Sequence, residues 1–337
     1  MKIKEYFKPI KKVKHGAPLG MGYLGFMAPE VATLLYALFT MIVIFFTWTN
    51  VENPFDLLWL RLQFLSGTFA LWVVYWLWPC KFVIGARVTY LLAMLGMWYP
   101  DTYSINSQFA SLDHIFAGYE QALFGFQPSL LFSKAYSNPL VSELMYMGYF
   151  SYYLFFVVPL FIVFFKRFAS LERTAFMIFA GFYICYAIYL LLPVTGPQYY
   201  YLAVGLDEIA AGNFSDVGHY FKDHTEALAS PGWSGGLFYH LVQLAHHAGE
   251  RPTAAFPSSH VAIATLVMLI TMKLRMWRWL LVLAIPYMFL CLSTVYIYAH
   301  YAIDAITGMV FGVVLFFLLG GLKLTPSRPS LSAGGRR

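Results

Sequence analysis

Two histidines and an aspartate near the C-terminal end of a very apolar chain are the residues best suited to chemistry. His260 closes the stretch PSSH at 257–260, and His300 and Asp304 stand in AHYAID at 299–304. On a helix beginning near residue 300, a spacing of four puts the His300 imidazole and the Asp304 carboxylate on one face, one turn apart. A carboxylate there takes the ring N–H, fixes the tautomer and raises the basicity of the other nitrogen. Two histidines, one oriented by an acid, suit nucleophilic attack by one and proton donation by the other. A lone histidine at the end of an apolar segment is ordinarily satisfied by water or a backbone carbonyl. Asp304 shifts that balance, because a carboxylate just inside an apolar helix is costly and points to a site and a partner.

The segments that must position these residues are membrane spans. The chain is 60% hydrophobic, 20% aromatic and only 11% charged, with mean hydropathy +0.64; a soluble domain carries roughly a quarter charged residues. Apolar runs near the ~20 residues that cross a bilayer lie at 29–48, 57–78, 84–100, 141–165, 174–193, 258–272, 279–297 and 302–321. The expected fold is all-α, a polytopic transmembrane helix bundle of eight spans, with six spans and two flanking or re-entrant helices as the alternative. The lysines and arginines orient it. Basic clusters at Lys2–Lys14, Lys81–Arg87, Lys166–Arg173, Lys273–Arg278 and Lys323–Arg337 all fall inside if the N-terminus is cytoplasmic. Residues 1–28 then form a basic cytoplasmic N-terminus, 29–321 one transmembrane domain, and 322–337 a cytoplasmic tail. His260 and His300 face the extracytoplasmic or luminal side, together with the long loop 194–257.

Other functions fit less well. The net charge of +6 is dispersed between spans rather than gathered in a patch, so the partner is the lipid bilayer and not nucleic acid. A transporter would place ionisable groups mid-span along a path, whereas here they collect at one end; a non-catalytic scaffold is the other rival. Cys80, Cys185 and Cys291 have no paired spacing and read as buried small hydrophobes. His240, His246 and His247 lack cysteine or acidic partners at ligand spacing, so no metal and no cofactor is expected. The lysine-rich first 20 residues lack the apolar core of a signal peptide. Asp113 and His114, in SLDHIFAGYEQALFGFQP, read as part of an interfacial amphipathic helix.

FPSSH, followed some forty residues later by STVYIYAHYAID, resembles the type-2 phosphatidic acid phosphatase superfamily, which includes bacterial acid phosphatases and vanadium haloperoxidases. Pro257, Ser258 and His260 match its motif P-S-x-H, and Ser293, His300 and Asp304 match S-R-x5-H-x3-D. Two departures stand out: Thr294 replaces the arginine, and the K-x6-R-P motif is absent, with Leu244 before Arg251–Pro252. The threonine and the PVTGPQYY turn are similar to the inositol phosphorylceramide synthase branch. The resemblance implies a metal-independent lipid phosphatase or head-group phosphotransferase with a six-helix core. Its substrate would be a membrane lipid phosphate, and its acceptor water or a lipid alcohol. It further implies His300 as the nucleophile, Asp304 as its orienting acid and His260 as the proton donor. Ser258, Ser259, Ser293 and Arg251 would bind phosphate at the helix start, where free N–H groups favour an anion.

Overall fold

The computed structural model describes residues 3–10 and 25–322, apart from the side chains of 247 and 248. Most of the N-terminal lysine cluster and the basic tail lie outside those residues. The chain is a helical bundle, with no strand among the described residues. In order come α1 (Ala28–Phe46), α2 (Pro54–Leu77), α3 (Lys81–Asn106), α4 (Asp113–Phe124), α5 (Pro128–Ala135), α6 (Pro139–Phe150) and α7 (Tyr152–Lys166). There follow α8 (Leu171–Leu191), α9 (Pro197–Val204), α10 (Leu206–Ala211), α11 (Leu237–Gly249), α12 (Ser259–Lys273), α13 (Trp277–Tyr296) and α14 (Ala302–Gly321).

Among the described residues, six helices are long and apolar enough to cross a membrane: α1, α2, α3, α8 with the short turn before it, α13 and α14. The run expected at 141–165 is a pair, α6 and α7, bent by 45° and counting as a seventh span if taken together. The run at 258–272 becomes α12, 15 residues long. At 1.5 Å per residue α12 is too short to cross the hydrocarbon alone. It is instead the axis of the bundle, buried against α14, α13, α7 and α8. A helix surrounded by protein is apolar on every face, which is why its sequence looks like a lipid-facing span.

Local chemistry sets where the helices begin. Ser258 caps α12, its hydroxyl oxygen accepting the Val261 N–H at 3.4 Å. Asp304 accepts the Tyr301 N–H at 2.9 Å and fixes the first turn of α14, as a carboxylate at the third helical position does in a capping box. Glu30 does the same for α1 through the Met27 N–H at 2.8 Å, and Asn138 starts α6 through the Val141 N–H at 3.0 Å.

α12 and α14 approach closely because α14 presents glycine to it. A Cβ at Gly312 would lie 2.5 Å from the Ala262 carbonyl, whereas Gly96 on α3 faces open space. The same substitution should therefore act in opposite directions. Gly96→Ala should stabilise by up to about 1 kcal/mol through helix propensity. Gly312→Ala should cost about 1–3 kcal/mol by overpacking, read as thermal midpoints in detergent.

Candidate active site

The two histidines meet at one end of α12. His260 lies in the first turn of that helix and His300 in the turn joining α13 to α14, with Nδ1 of His260 3.2 Å from Nε2 of His300. His260 is sandwiched by aromatic rings from the α6–α7 bend: Tyr152 at 4.1 Å and Tyr149 at 4.8 Å, centroid to centroid. His300 is 3% exposed.

The hydrogen bonds assign the protons. Nδ1 of His300 is 2.8 Å from the Ala255 carbonyl oxygen, which only accepts. A neutral His300 therefore carries its hydrogen on Nδ1, leaving the lone pair on Nε2. His260 then donates its Nδ1–H to that lone pair. A lone-pair nitrogen and an N–H donor thus face each other across one hydrogen bond. Burial pushes the His300 imidazole down from its ordinary 6.5 to about 4, while the Ala255 carbonyl and the Glu250 charge pull it partly back. His300 is therefore neutral at pH 7, as a nucleophile must be.

The expected role of Asp304 is modified. The helix begins at Ala302 rather than near residue 300, so His300 precedes it. The closest approach of Asp304 Oδ2 to Nδ1 is 3.7 Å, and Oδ2 takes the Tyr301 N–H instead. Asp304 Oδ1 is buried without a hydrogen-bond partner. The Ala255 carbonyl takes the proton that the spacing assigns to the carboxylate.

The remaining candidates separate. Ser258 and Ser259 are buried at the start of α12 beside His260. The Ser258 N–H is spent on the Asp304 carbonyl at 3.1 Å, and the Ser259 N–H on the Tyr189 hydroxyl at 3.0 Å. Ser293 is buried in α13 and donates to the Leu290 carbonyl of its own helix. Arg251 is exposed, donating to the Glu250 carbonyl at 3.0 Å. Thr294 donates to the Cys291 carbonyl.

Two features escaped the sequence. Glu250, at the end of α11, accepts the Tyr149 hydroxyl at 2.8 Å and the Gln198 side-chain amide at 3.2 Å, and lies 3.3 Å from His246 Nε2. It shares Tyr149 with His260. Asp113, in the first turn of α4, is fully buried and bonded to the 195–196 turn. Glu120, two turns further along α4, is also fully buried and accepts the Ile303 N–H at the head of α14; burial pushes its carboxyl up to about 8. The only available signal was the i, i+7 spacing of the two acids, which places both on one helix face. Among the described residues, no three His, Cys, Asp or Glu side chains are arranged to hold a metal ion.

A histidine pair thus lies at one end of a helical membrane bundle, an arrangement that can support acid–base chemistry. Residues 114–318, more than half of the chain and everything from α4 into α14, match the PAP2 superfamily, and the chain belongs to it. That family supports a phosphatase-type function acting on a phosphate ester at a membrane. No curated protein and no solved structure matches the chain.

The depressed His300 value has a consequence for folding. The unfolded chain binds this proton near pH 6.5 and the folded chain only near 4. Stability is therefore full above about 6.5, falls as pH drops from 6.5 to 4, and levels off below. The ceiling is roughly 3 kcal/mol for this one group. His300→Gln should flatten that part of the acid slope of the thermal midpoint; equal slopes in both proteins would show that other groups carry it.

Proposed function

We propose that the protein cleaves or transfers a phosphate ester of a membrane lipid through a phosphohistidine at His300. The observation that carries this reading is the 3.2 Å contact between His260 Nδ1 and His300 Nε2 within the family-matched region. With His260 in its imidazolium form and its hydrogen bond to His300 opened, His300 Nε2 attacks phosphorus, the bond to the leaving oxygen breaks, and that oxygen takes one proton from His260, which becomes neutral. In the second step an acceptor hydroxyl attacks phosphorus, the P–N bond breaks, and the acceptor's proton returns to His260. The N-terminal end of α12, with Ser258 and Ser259, supplies the positive end of a helix dipole toward the phosphate. Asp304 acts on His300 by fixing the first turn of α14.

The similarity of VYIYAHYAID and PVTGPQYY to the inositol phosphorylceramide synthase branch favours a lipid alcohol, ceramide-like, over water as acceptor, with a phosphoinositol-type head group transferred. The near-complete burial of His300 agrees with exclusion of water from the phosphoenzyme. The site is read as extracytoplasmic or luminal, because the basic clusters near Lys81–Arg87, Lys166–Arg173 and Lys273–Arg278 then all lie inside, with the α6–α7 pair and the protein-buried α12, which runs beside α14, each counted as a crossing.

The test is purified protein with a panel of lipid phosphates and phosphodiesters, with and without ceramide, following both free phosphate and new lipid. Transfer predicts a ceramide-dependent lipid product, and hydrolysis predicts, regardless of ceramide, free phosphate from monoesters and a soluble phosphorylated head group from diesters. His300→Ala should abolish both and remove phosphoenzyme labelling. His260→Ala should retain labelling from substrates with good leaving groups while slowing turnover by on the order of 10²–10⁴. Full turnover in His300→Ala ends the mechanism.

A further inference from the structure

A backbone carbonyl orients His300, and a carbonyl is only as fixed as the chain that carries it. Ala255 is held by its own N–H, which donates to the Val194 carbonyl at 3.0 Å. Four residues further along that turn, the Gln198 N–H donates to the Tyr298 carbonyl at 2.8 Å. Between them, Gly196 lies so close to the segment before His300 that a Cβ there would stand 2.7 Å from the Ala299 carbonyl. The turn 193–198 therefore grips both pieces of chain that hold the imidazole. Each piece includes a non-glycine residue in the left-handed region, Ala254 at φ 74° and Tyr298 at φ 69°. Such conformations are strained and persist only where the surroundings impose them.

The turn is itself fixed by one carboxylate. Asp113 Oδ2 accepts from the Thr195 N–H at 2.8 Å, the Thr195 hydroxyl at 2.9 Å and the Ser111 hydroxyl at 2.7 Å. Its Oδ1 accepts from the Gly196 N–H at 2.9 Å and from the Tyr301 hydroxyl at 3.1 Å. Tyr301 directly follows His300. The neighbouring Leu112 N–H adds a bond to the Pro193 carbonyl at 3.0 Å. Five donors converge on two oxygens, which an ionised carboxylate can accept and a carboxamide, with one acceptor oxygen, cannot.

We propose that Asp113 is a positioning residue of the histidine pair: by binding the 195–196 turn and Tyr301 together, it sets the Ala255 carbonyl and the 298–301 turn, and so aims His300 Nε2 at His260. It touches neither histidine. The proposal rests on the reading of His300 as nucleophile.

The experiment uses full-length protein in detergent with two probes. One is phosphatidic acid labelled in its phosphate, read as kcat, KM and labelled enzyme. The other is diethyl pyrocarbonate, whose modification of His300 and His260 is read by peptide mass spectrometry and needs no turnover. In Asp113→Asn, kcat and the rate of enzyme labelling should fall about 100-fold, the loss expected from a misplacement of order 1 Å. KM should stay within about threefold, and the ratio of His300 to His260 modification should change. Tyr301→Phe, which removes a single donor, should show the same pattern at about 3- to 10-fold. A purely architectural Asp113 would lower the amount of folded protein and leave kcat per folded molecule and the modification ratio untouched; that result overturns the proposal. If Asp113→Asn does not fold, Tyr301→Phe decides alone, and wild-type kcat with a wild-type modification ratio overturns it. If phosphatidic acid is not turned over, the modification ratio decides. Loss of activity in His300→Ala with wild-type behaviour in both variants refutes the positioning role and leaves the proposed function standing, whereas unchanged activity in His300→Ala strikes the proposed function itself.

Discussion

The hydrogen bond from His300 Nδ1 to the Ala255 carbonyl is the contact on which the chemistry of this site depends. A carbonyl cannot donate, so the bond leaves one tautomer and puts the lone pair of the buried imidazole on Nε2, toward His260. Burial alone would strand a histidine without a defined proton. Burial beside an obligate acceptor gives a neutral imidazole whose lone pair has a fixed direction. Of the neighbouring contacts, those of the 193–198 turn hold that carbonyl, and the rings of Tyr149 and Tyr152 pack on the partner imidazole.

What was legible in the sequence follows from which constraints are local. The bilayer demands long apolar helices, so α1, α2, α3, α8, α13 and α14 could be read from hydropathy, and each overlaps its expected run, with α3 continuing beyond it to Asn106. α12 was legible as apolar but not as central, since a lipid-facing helix and a protein-buried one share the same composition. The separation of His260 and His300 is a sequence property, and the structure brings them together. The orienting group was not legible. A backbone acceptor has no residue type, and Ala255 carries no signature beyond its place before FPSSH. The four-residue spacing to Asp304 suggested a direct bond, yet a helix that starts two residues after His300 turns that carboxylate to the Tyr301 N–H. The partners of Asp113 were not legible for the complementary reason. Its local pattern is amphipathic, while its partners Thr195 and Tyr301 lie 82 and 188 residues away.

The departures from the superfamily pattern also have a structural side. Thr294 stands where the pattern has arginine, and its hydroxyl is spent within its own helix. Position 294 nevertheless serves the site through its backbone, because its carbonyl accepts the His300 N–H at 2.9 Å. Placing His300 thus does not require a particular side chain at 294; a positive charge for phosphate is a separate demand. Arg251 follows Glu250, whose carboxylate is already engaged by Tyr149 and Gln198, so the guanidinium is not drawn into a pair with it.

Helices α1–α3 precede the family-matched region, yet they are not merely attached to its lipid face. Two buried ion pairs hold them in register: Arg61 bidentate to Asp101 at 2.6 and 2.7 Å, and Arg87 to Glu30. Buried pairs contribute little net stability after desolvation, but removing one partner is costly, and for that reason they can select one arrangement of helices over others. The arrangement they select brings the C-terminal end of α3 to the site. Asn106 donates to the Tyr189 carbonyl at 3.1 Å and to the Thr253 hydroxyl at 2.6 Å. Thr253 stands two residues before Ala255, and the Tyr189 hydroxyl accepts the Ser259 N–H and donates to the Pro257 carbonyl at 2.9 Å. The segment 253–259 is therefore tied at one end to an N-terminal helix and at the other to α8. The carbonyl that orients His300 lies between those ties, so the docking of α3 bears on the geometry of the histidine pair as well as on the packing of the bundle.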